Sequence, residues 1–482
     1  MTPASDPHAA APNPLRWWVL GGISLGVLMF TIDSSIVNVA LPTFVSVFQT
    51  NFATVQWVVL SYLLVVNALT LAAARWGDLV GKKSLYIGGI ILFTISSLLC
   101  GLAPSIGWLI AFRALQGAGG VMISALGAAI TTEIFPRAEL GIAVGMIGTM
   151  VSTGVAMGPT LGGLILHWAN WHMIFFVNLP IGMIASLIIA RSAPSVQRHT
   201  STFQFDWLGA ILLAAVLISF SLGMTQGQAT EFEAVLPWLL LAIAAIGVAL
   251  FIRLESRLEH PLLDLSLFQN ICLSSRLLVT ALVFLAVGGS VLLQPFFLEL
   301  GLGLPPAHVG LLMLTAPLVT GMISPVAGRW VDTIGLKRMS LIGLSIMVVA
   351  CLLMSTVHPD LTNFGYIWRF APFGLGMGIF QSSNNTAVMG QAPPGRTGIV
   401  SGVLSLSRTI GQTTGIALVG TIFSLIILWS TGSTSVSQAS VTAIAAGTSW
   451  GFRFVACLLF IAVFLIARFQ IAPRTSLAAH RS

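Results

Sequence analysis

Asp33 stands in TIDSSIVNVALP, the one charged residue between Trp17 and Thr70. A charged side chain among apolar residues in hydrocarbon costs about 2.5–3.5 kcal/mol on insertion scales, so it is a functional candidate by default. Arg113, in FRALQGAGGVMISALG, is a second charge of this kind, and Gln116 follows it by one helical turn. A carboxyl group's hold on its proton depends on whether water, a cation or an arginine lies beside it, so such a pair can trade a proton for another cation. The alternative is a static ion pair that ties two helices together, although hydrophobic replacements of such pairs are often as stable. Gln116 either faces a ligand or bonds a neighbouring helix.

Other polar residues in apolar runs include Asn38, Gln56, Asn67, Glu299, Gln381, Asn384, Asn385, Arg408 and Gln412. Glu299 is acidic and falls at the end of its run, which suits either a wet interfacial position or a coupling carboxylate. Asn38, Asn67, Gln381, Asn384, Asn385 and Arg408 are candidates to line a polar cavity. The cysteines at 100, 272, 351 and 457 have no CxxC or CxxH spacing, so neither a disulfide framework nor a metal site is indicated. The eight histidines are dispersed, no HExxH set is present, and no GxxxxGK[ST] loop points to a nucleotide. These patterns disfavour an enzyme and ATP-driven work.

Long apolar elements must position these groups. Hydrophobic residues make up 56% of the 482 and charged residues 7%, against roughly 25% charged in a soluble domain. Runs such as LLLAIAAIGVAL are apolar on every side, which fits helices and not the alternating strands of a barrel. The expectation is an all-α polytopic membrane protein of about fourteen spans. They are placed at 17–39, 54–74, 84–102, 107–131, 141–166, 172–190, 207–224, 237–253, 276–300, 308–328, 339–356, 364–388, 398–426 and 450–469. Lys and Arg fall in alternate connections, among them Lys82, Lys83, Arg137, Arg191, Arg253, Arg329, Lys337, Arg338 and Arg396. By the positive-inside rule both termini are cytoplasmic. The net charge of +7 follows from this topology; no single basic patch marks a nucleic-acid site.

The chain repeats itself. GDLVGKK at 77–83 answers VDTIGLKR at 331–338, Arg113 answers Arg369, and Gly141, Gly145, Gly154 and Gly158 answer Gly398, Gly402, Gly411 and Gly415. The offsets are 254 to 257 positions, the signature of two related halves facing across a transporter's cavity. The organisation expected is a head at 1–15, a six-helix bundle at 16–191, two inserted helices within 192–257, a linker at 258–275, a second six-helix bundle at 276–470 and a tail at 471–482. Asp78, Gly81, Lys82 and Lys83, with Asp332, Gly335, Lys337 and Arg338 in the second copy, read as a latch between halves or as a positive-inside tight turn. In GMIGTMVSTGVAMGPTLGG, the residues Gly154, Gly158, Pro159, Gly162 and Gly163 leave one helix face almost bare, with a proline that permits a bend.

TIDSSIVNVALP, GDLVGKK, RALQGAGG and the glycine ladder resemble the successive signature motifs of the major facilitator superfamily. With two extra central spans the chain looks like its fourteen-span drug:proton antiporter branch, the EmrB/QacA-like transporters. The resemblance implies the major facilitator fold. It makes Asp33 the first-span proton or cation carboxylate and Arg113 the arginine of the proton relay, with gating loops at Asp78–Lys83 and an antiporter motif at Gly154–Gly162. Ala74 departs from the glycine that usually opens the gating loop; Gly328 keeps it in the second copy. Glu299 stands where a glutamine is common. The implied activity is export of amphipathic, cationic or lipophilic compounds in exchange for protons, at a bacterial inner membrane. It is driven by the proton gradient without a cofactor, in a monomer surrounded by lipid, with a periplasmic adaptor as a candidate partner. A carrier for one metabolite, such as a siderophore, sugar or amino acid, is the rival reading.

Overall fold

The computed structural model describes residues 15–192, 206–230, 232–258, 265–392, 397–432, 436 and 439–469. The head before residue 15, the core of the expected linker and the tail after 469 lie outside the described residues. So do the side chains of Asp78 and Asp332 and those of a few neighbours at the same helix ends.

The described chain is helical throughout. The first group comprises α1 (Arg16–Val39), α2 (Leu41–Val47), α3 (Phe52–Val55), α4 (Trp57–Val80), α5 (Lys82–Gly101), α6 (Ile106–Ile134), α7 (Arg137–Trp168), α8 (His172–Phe176) and α9 (Asn178–Ser192). A hairpin follows, α10 (Trp207–Thr230) and α11 (Val235–Glu255). The second group comprises α12 (Ile271–Phe296), which runs into a π-helical turn at Phe297–Gly301, then α13 (Pro306–Met313), α14 (Thr315–Ile334), α15 (Leu336–Met354), α16 (Asn363–Met389), α17 (Thr397–Thr431) and α18 (Val441–Phe469). Thirteen of these segments are long and apolar enough to cross a membrane. The expected span at 364–388 is a 27-residue helix, α16, but is not among them: Arg369, Gln381, Asn384 and Asn385 dilute its apolar character.

Several expected spans break near one end of the bundle. Helix α1 stops at Ala40, where Pro42 opens α2 within its first turn. The sixth span is divided after Phe176, just before Asn178 and Pro180. Helix α18 begins at Val441 instead of about 450, because VTAIAAGTS is built of small residues that carry little hydropathy yet propagate a helix. The turns between α4 and α5 and between α14 and α15 need glycine: Gly81 has φ 103° and Gly335 has φ 90°, in the left-handed region where a Cβ is strained.

Packing explains the glycine ladder. A Cβ at Gly154 would strike Thr31, one at Gly158 would strike Ser35, and one at Gly162 would meet Ile36, so α7 lies with its backbone against α1. Ser35 donates its hydroxyl to the Gly154 carbonyl at 3.1 Å. The second copy is built alike: Gly411 and Gly415 of α17 press on Ala281 and Leu285 of α12. The opposite edge of α7 touches the other group of helices, with Gly163 against Pro306 and Pro159 against Gly310.

Contacts between the two groups concentrate at the end of the bundle remote from the termini. There Phe52 packs edge-on to Phe296 with centroids 4.7 Å apart and lies 5.1 Å from Phe423, while Gln56 abuts Gly420. Deeper in, Asn67 donates to the Thr413 hydroxyl at 3.0 Å. Toward the terminus-bearing end, Gly145 and Gly148 of α7 and Gly321 and Gly328 of α14 face open space. The α10–α11 hairpin packs through α10 on both α4 and α17, and the Trp57 indole donates to Thr225 at 3.0 Å.

The contrast between glycines gives a test. Gly158→Ala overpacks α1 against α7 and is expected to cost about 1–3 kcal/mol, read as a lower melting temperature of the purified protein. Gly145→Ala, with nothing to strike, leaves the melting temperature unchanged or slightly raised.

Candidate functional site

In TIDSS of helix α1, Thr31 and Ser35 lie one turn apart on the face that meets α7, whereas Asp33 points to the other side, toward α6 and α9. Thr31 returns its hydroxyl to the helix's own carbonyls and Ser35 shares its hydroxyl between its own helix and Gly154, whereas the carboxylate of Asp33 has no partner on its own helix. It finds three elsewhere. Arg113 of α6 donates from Nη1 to Oδ2 at 2.6 Å, and both side chains are almost wholly buried, at 1% and 0% exposure. Gln116 of α6 donates to Oδ1 at 2.9 Å, and Asn178 of α9 donates to the same oxygen at 2.8 Å. Both carboxylate oxygens are therefore bonded, as a buried charge requires.

Arg113 is held with equal care. Its Nε donates to the Val58 carbonyl of α4 at 3.1 Å, its Nη1 also donates to the Gln116 side-chain oxygen Oε1 at 2.7 Å, and its guanidinium carbon lies 4.3 Å from the centre of the Tyr62 ring. The cation–π contact and the desolvated ion pair act together in a site from which water is excluded. Asn178 also donates to Ser97 of α5 at 2.9 Å, and Ser97 closes on the Phe175 carbonyl at 2.8 Å. One carboxylate thus joins α1, α4, α5, α6, α8 and α9.

The sequence pairing of Asp33 with Arg113 and Gln116 meets direct contact. In this conformation the two charges touch, and both are buried within the first group of helices. Asn178, Ser97 and Tyr62 are the members that sequence reasoning missed. An amide inside the apolar run FFVNLPIG was the available signal for Asn178; nothing in the pattern singled out Ser97 or Tyr62.

The other candidates scatter. Asn38 bonds back to the carbonyls of Ser34 and Ser35 on its own helix. Asn384 donates to Thr280 at 2.8 Å and sits beside Arg276 in a buried polar cluster with Ser340. Arg408 donates to Asn385 at 2.6 Å. Glu299 lies in the π-helical turn, half-buried, with one carboxylate oxygen buried and unbonded, and takes no part in the Asp33 network. Lys337 donates to the Ala467 carbonyl at the end of α18, a bond within its own half and not across to the other. Arg369, the repeat counterpart of Arg113, is half-buried and bonds Thr356 and the Gly365 carbonyl with no carboxylate beside it among the described residues, so the buried charge pair is seen in one half alone.

A single family model, the Major Facilitator Superfamily, matches residues 23–416 and again 277–481. The chain belongs to the major facilitator superfamily. It is 34% identical over 410 residues to the riboflavin transporter RibZ of Clostridioides difficile, covering 85% of this chain and 88% of that one. It is 33% identical over 411 residues to the multidrug resistance protein Stp of Mycobacterium tuberculosis, covering 85% and 76%. Its fold matches that of a bacterial homologue of the human lysosomal transporter Spinster, solved inward-facing and unoccupied, with a TM-score of 0.70 at 17% identity over 94% and 96% of the two chains. The protein is accordingly a multi-pass membrane transporter of major facilitator type.

Removing one partner of a buried pair strands the other. Arg113→Leu is expected to destabilise the protein by about 3–5 kcal/mol, seen as a large fall in melting temperature or loss of folded yield. Adding Asp33→Asn to Arg113→Leu restores most of that loss, because no uncompensated charge remains.

Proposed function

We propose that this transporter is a proton-driven exporter of the fourteen-span, EmrB/QacA-like branch, moving amphipathic and lipophilic compounds, cationic ones included, out of a bacterial cell by alternating access. On this reading α16 is the fourteenth span, α10–α11 is a hairpin inserted between two six-helix halves, and both termini are cytoplasmic in the inner membrane. The halves then meet at the periplasmic end and part toward the cytoplasm, an inward-facing arrangement. Drug export as the class of activity is supported by the likeness to Stp, and the cycle draws on the proton gradient with no bound cofactor.

The observation that carries the coupling is the placement of Asp33. Its helix, α1, is in backbone contact with α7 at Gly154, Gly158 and Gly162, and the far edge of α7 is in backbone contact with α13 of the other half at Pro159 and Gly163. Protonation of Asp33 weakens its bonds to Arg113, Gln116 and Asn178 and changes the forces on α1. The close-packed ladder, which cannot absorb a shift by compression, passes that change to the seam between halves. Gly81 and Gly335 act as the hinges of the two gating loops. Proton access requires the sealed network to open, which ties the proton step to the conformational step. A second reading, a carrier for one metabolite, is favoured by the comparable likeness to RibZ.

Inverted membrane vesicles with an imposed pH gradient separate these readings. Gradient-driven transport of several unrelated lipophilic dyes by the wild type, lost in Asp33→Asn, is expected. Transport of none of them would defeat the multidrug reading, and unchanged transport in Asp33→Asn would defeat the role of the carboxylate.

A further inference from the structure

In the second half, Arg408 has no acidic partner among the described residues. Arg408 reaches from α17 across the front of α12 to α16. It donates to Asn385 at 2.6 Å and lies 5.5 Å from the centre of the Phe284 ring. Among the described residues Arg408 forms no ion pair, and its Nε is buried without a hydrogen-bond partner. Arg408, Asn385, Phe284 and Gln381 are each half-buried.

Their position places them on the seam. On α12 the half-buried residues Phe284, Val287 and Val291 follow one stripe, whereas Thr280, Val283 and Ala286 on the neighbouring stripe are buried within the second half. Helix α17 also packs on α4 of the first half, and Thr413, which accepts the bond from Asn67, lies little more than one turn beyond Arg408. The repeat supplies no counterpart, since the matching position in the first half is Val151. A structural device shared by both halves would recur; Arg408 does not.

A guanidinium in a water-poor site with an unused donor and no carboxylate is offset by a bound anion. The Phe284 ring and the aliphatic stripe beside it suit an aromatic or aliphatic body. We propose that Arg408, positioned by Asn385, binds the acidic group of the cargo, and that Phe284 receives its apolar part. This rests on the export reading and narrows it: lipophilic acids are preferred over lipophilic cations at this site. Asp33, bonded on both oxygens and sealed from the space between the halves, offers a cation no competing contact in this conformation.

Binding of three matched probes, 1-naphthoate, 1-naphthalenemethanol and 1-naphthylmethylammonium, to the purified protein in phosphatidylcholine nanodiscs tests the proposal. Naphthoate is expected to bind roughly tenfold or more tightly than the other two, as a charge-assisted bond implies. Arg408→Gln brings it to parity and leaves the alcohol unchanged. Asn385→Asp supplies a carboxylate to the guanidinium, keeps the tie between α16 and α17, and should abolish the preference for naphthoate with no fall in melting temperature. The proposal is overturned if folded wild-type protein shows no saturable naphthoate binding, if the ammonium probe binds as tightly, or if Arg408→Gln or Asn385→Asp keeps the preference. Competition of naphthoate binding by soluble short-chain phosphatidylglycerol, with short-chain phosphatidylcholine inert, would assign the site to a lipid headgroup and overturn the cargo role. Gradient-driven efflux of an uncharged dye by the wild type keeps the export reading separate: if that efflux is seen while the wild type shows no preference for naphthoate, this inference alone is lost.

Discussion

A buried carboxylate cannot be left alone, and much of the first half of this protein is arranged around that constraint. Asp33 is satisfied by Arg113, Gln116 and Asn178, and Arg113 in turn by Val58 and Tyr62. Each partner comes from a different turn or helix, so the network fixes how α1, α4, α6 and α9 sit relative to one another. It is expensive to build, because an ion pair in a dry interior returns only part of its desolvation cost. A hydrophobic cluster would hold the same helices; only an ionisable one responds to a proton.

The second constraint is steric. The glycines of α7 bring its backbone onto α1 on one side and onto α13 on the other. The helix that carries the carboxylate and α13 of the other half therefore share one close-packed neighbour. The second half repeats the packing between α12 and α17 without repeating the charge pair, since Arg369 is half-buried and bonds Thr356 and the Gly365 carbonyl in place of a carboxylate. The two halves are alike in architecture and unlike in chemistry: a sealed carboxylate in one, an unneutralised Arg408 in the other.

The sequence was a good guide to what repeats and to what is out of place. Long apolar runs located nearly every helix, and the isolated charges at 33 and 113 named the central pair. Helix breaks at Ala40 and before Asn178 were not legible, because they depend on local proline geometry and on contacts at the closed end. The start of α18 was hidden by small residues of low hydropathy. Sequence distance also could not show that Asp33 is sealed within one half: that depends on the rotation of α1, which is set by where Gly154 and Gly158 press. Ser97 and Tyr62 entered the network for the same reason, as ordinary residues placed by packing.

The central claim is that the proton on Asp33 and the opening of the seam are one event. Electron–electron distance measurements between spin labels at Ile142→Cys and Trp330→Cys, in a background with the native cysteines replaced, address it directly, since both positions are exposed on the terminus-bearing ends of α7 and α14. The account predicts that the distance distribution shifts between open and closed populations as pH is lowered in the wild-type background, and that Asp33→Asn removes this pH dependence. Distributions that ignore pH, or a pH response that survives Asp33→Asn, would contradict it.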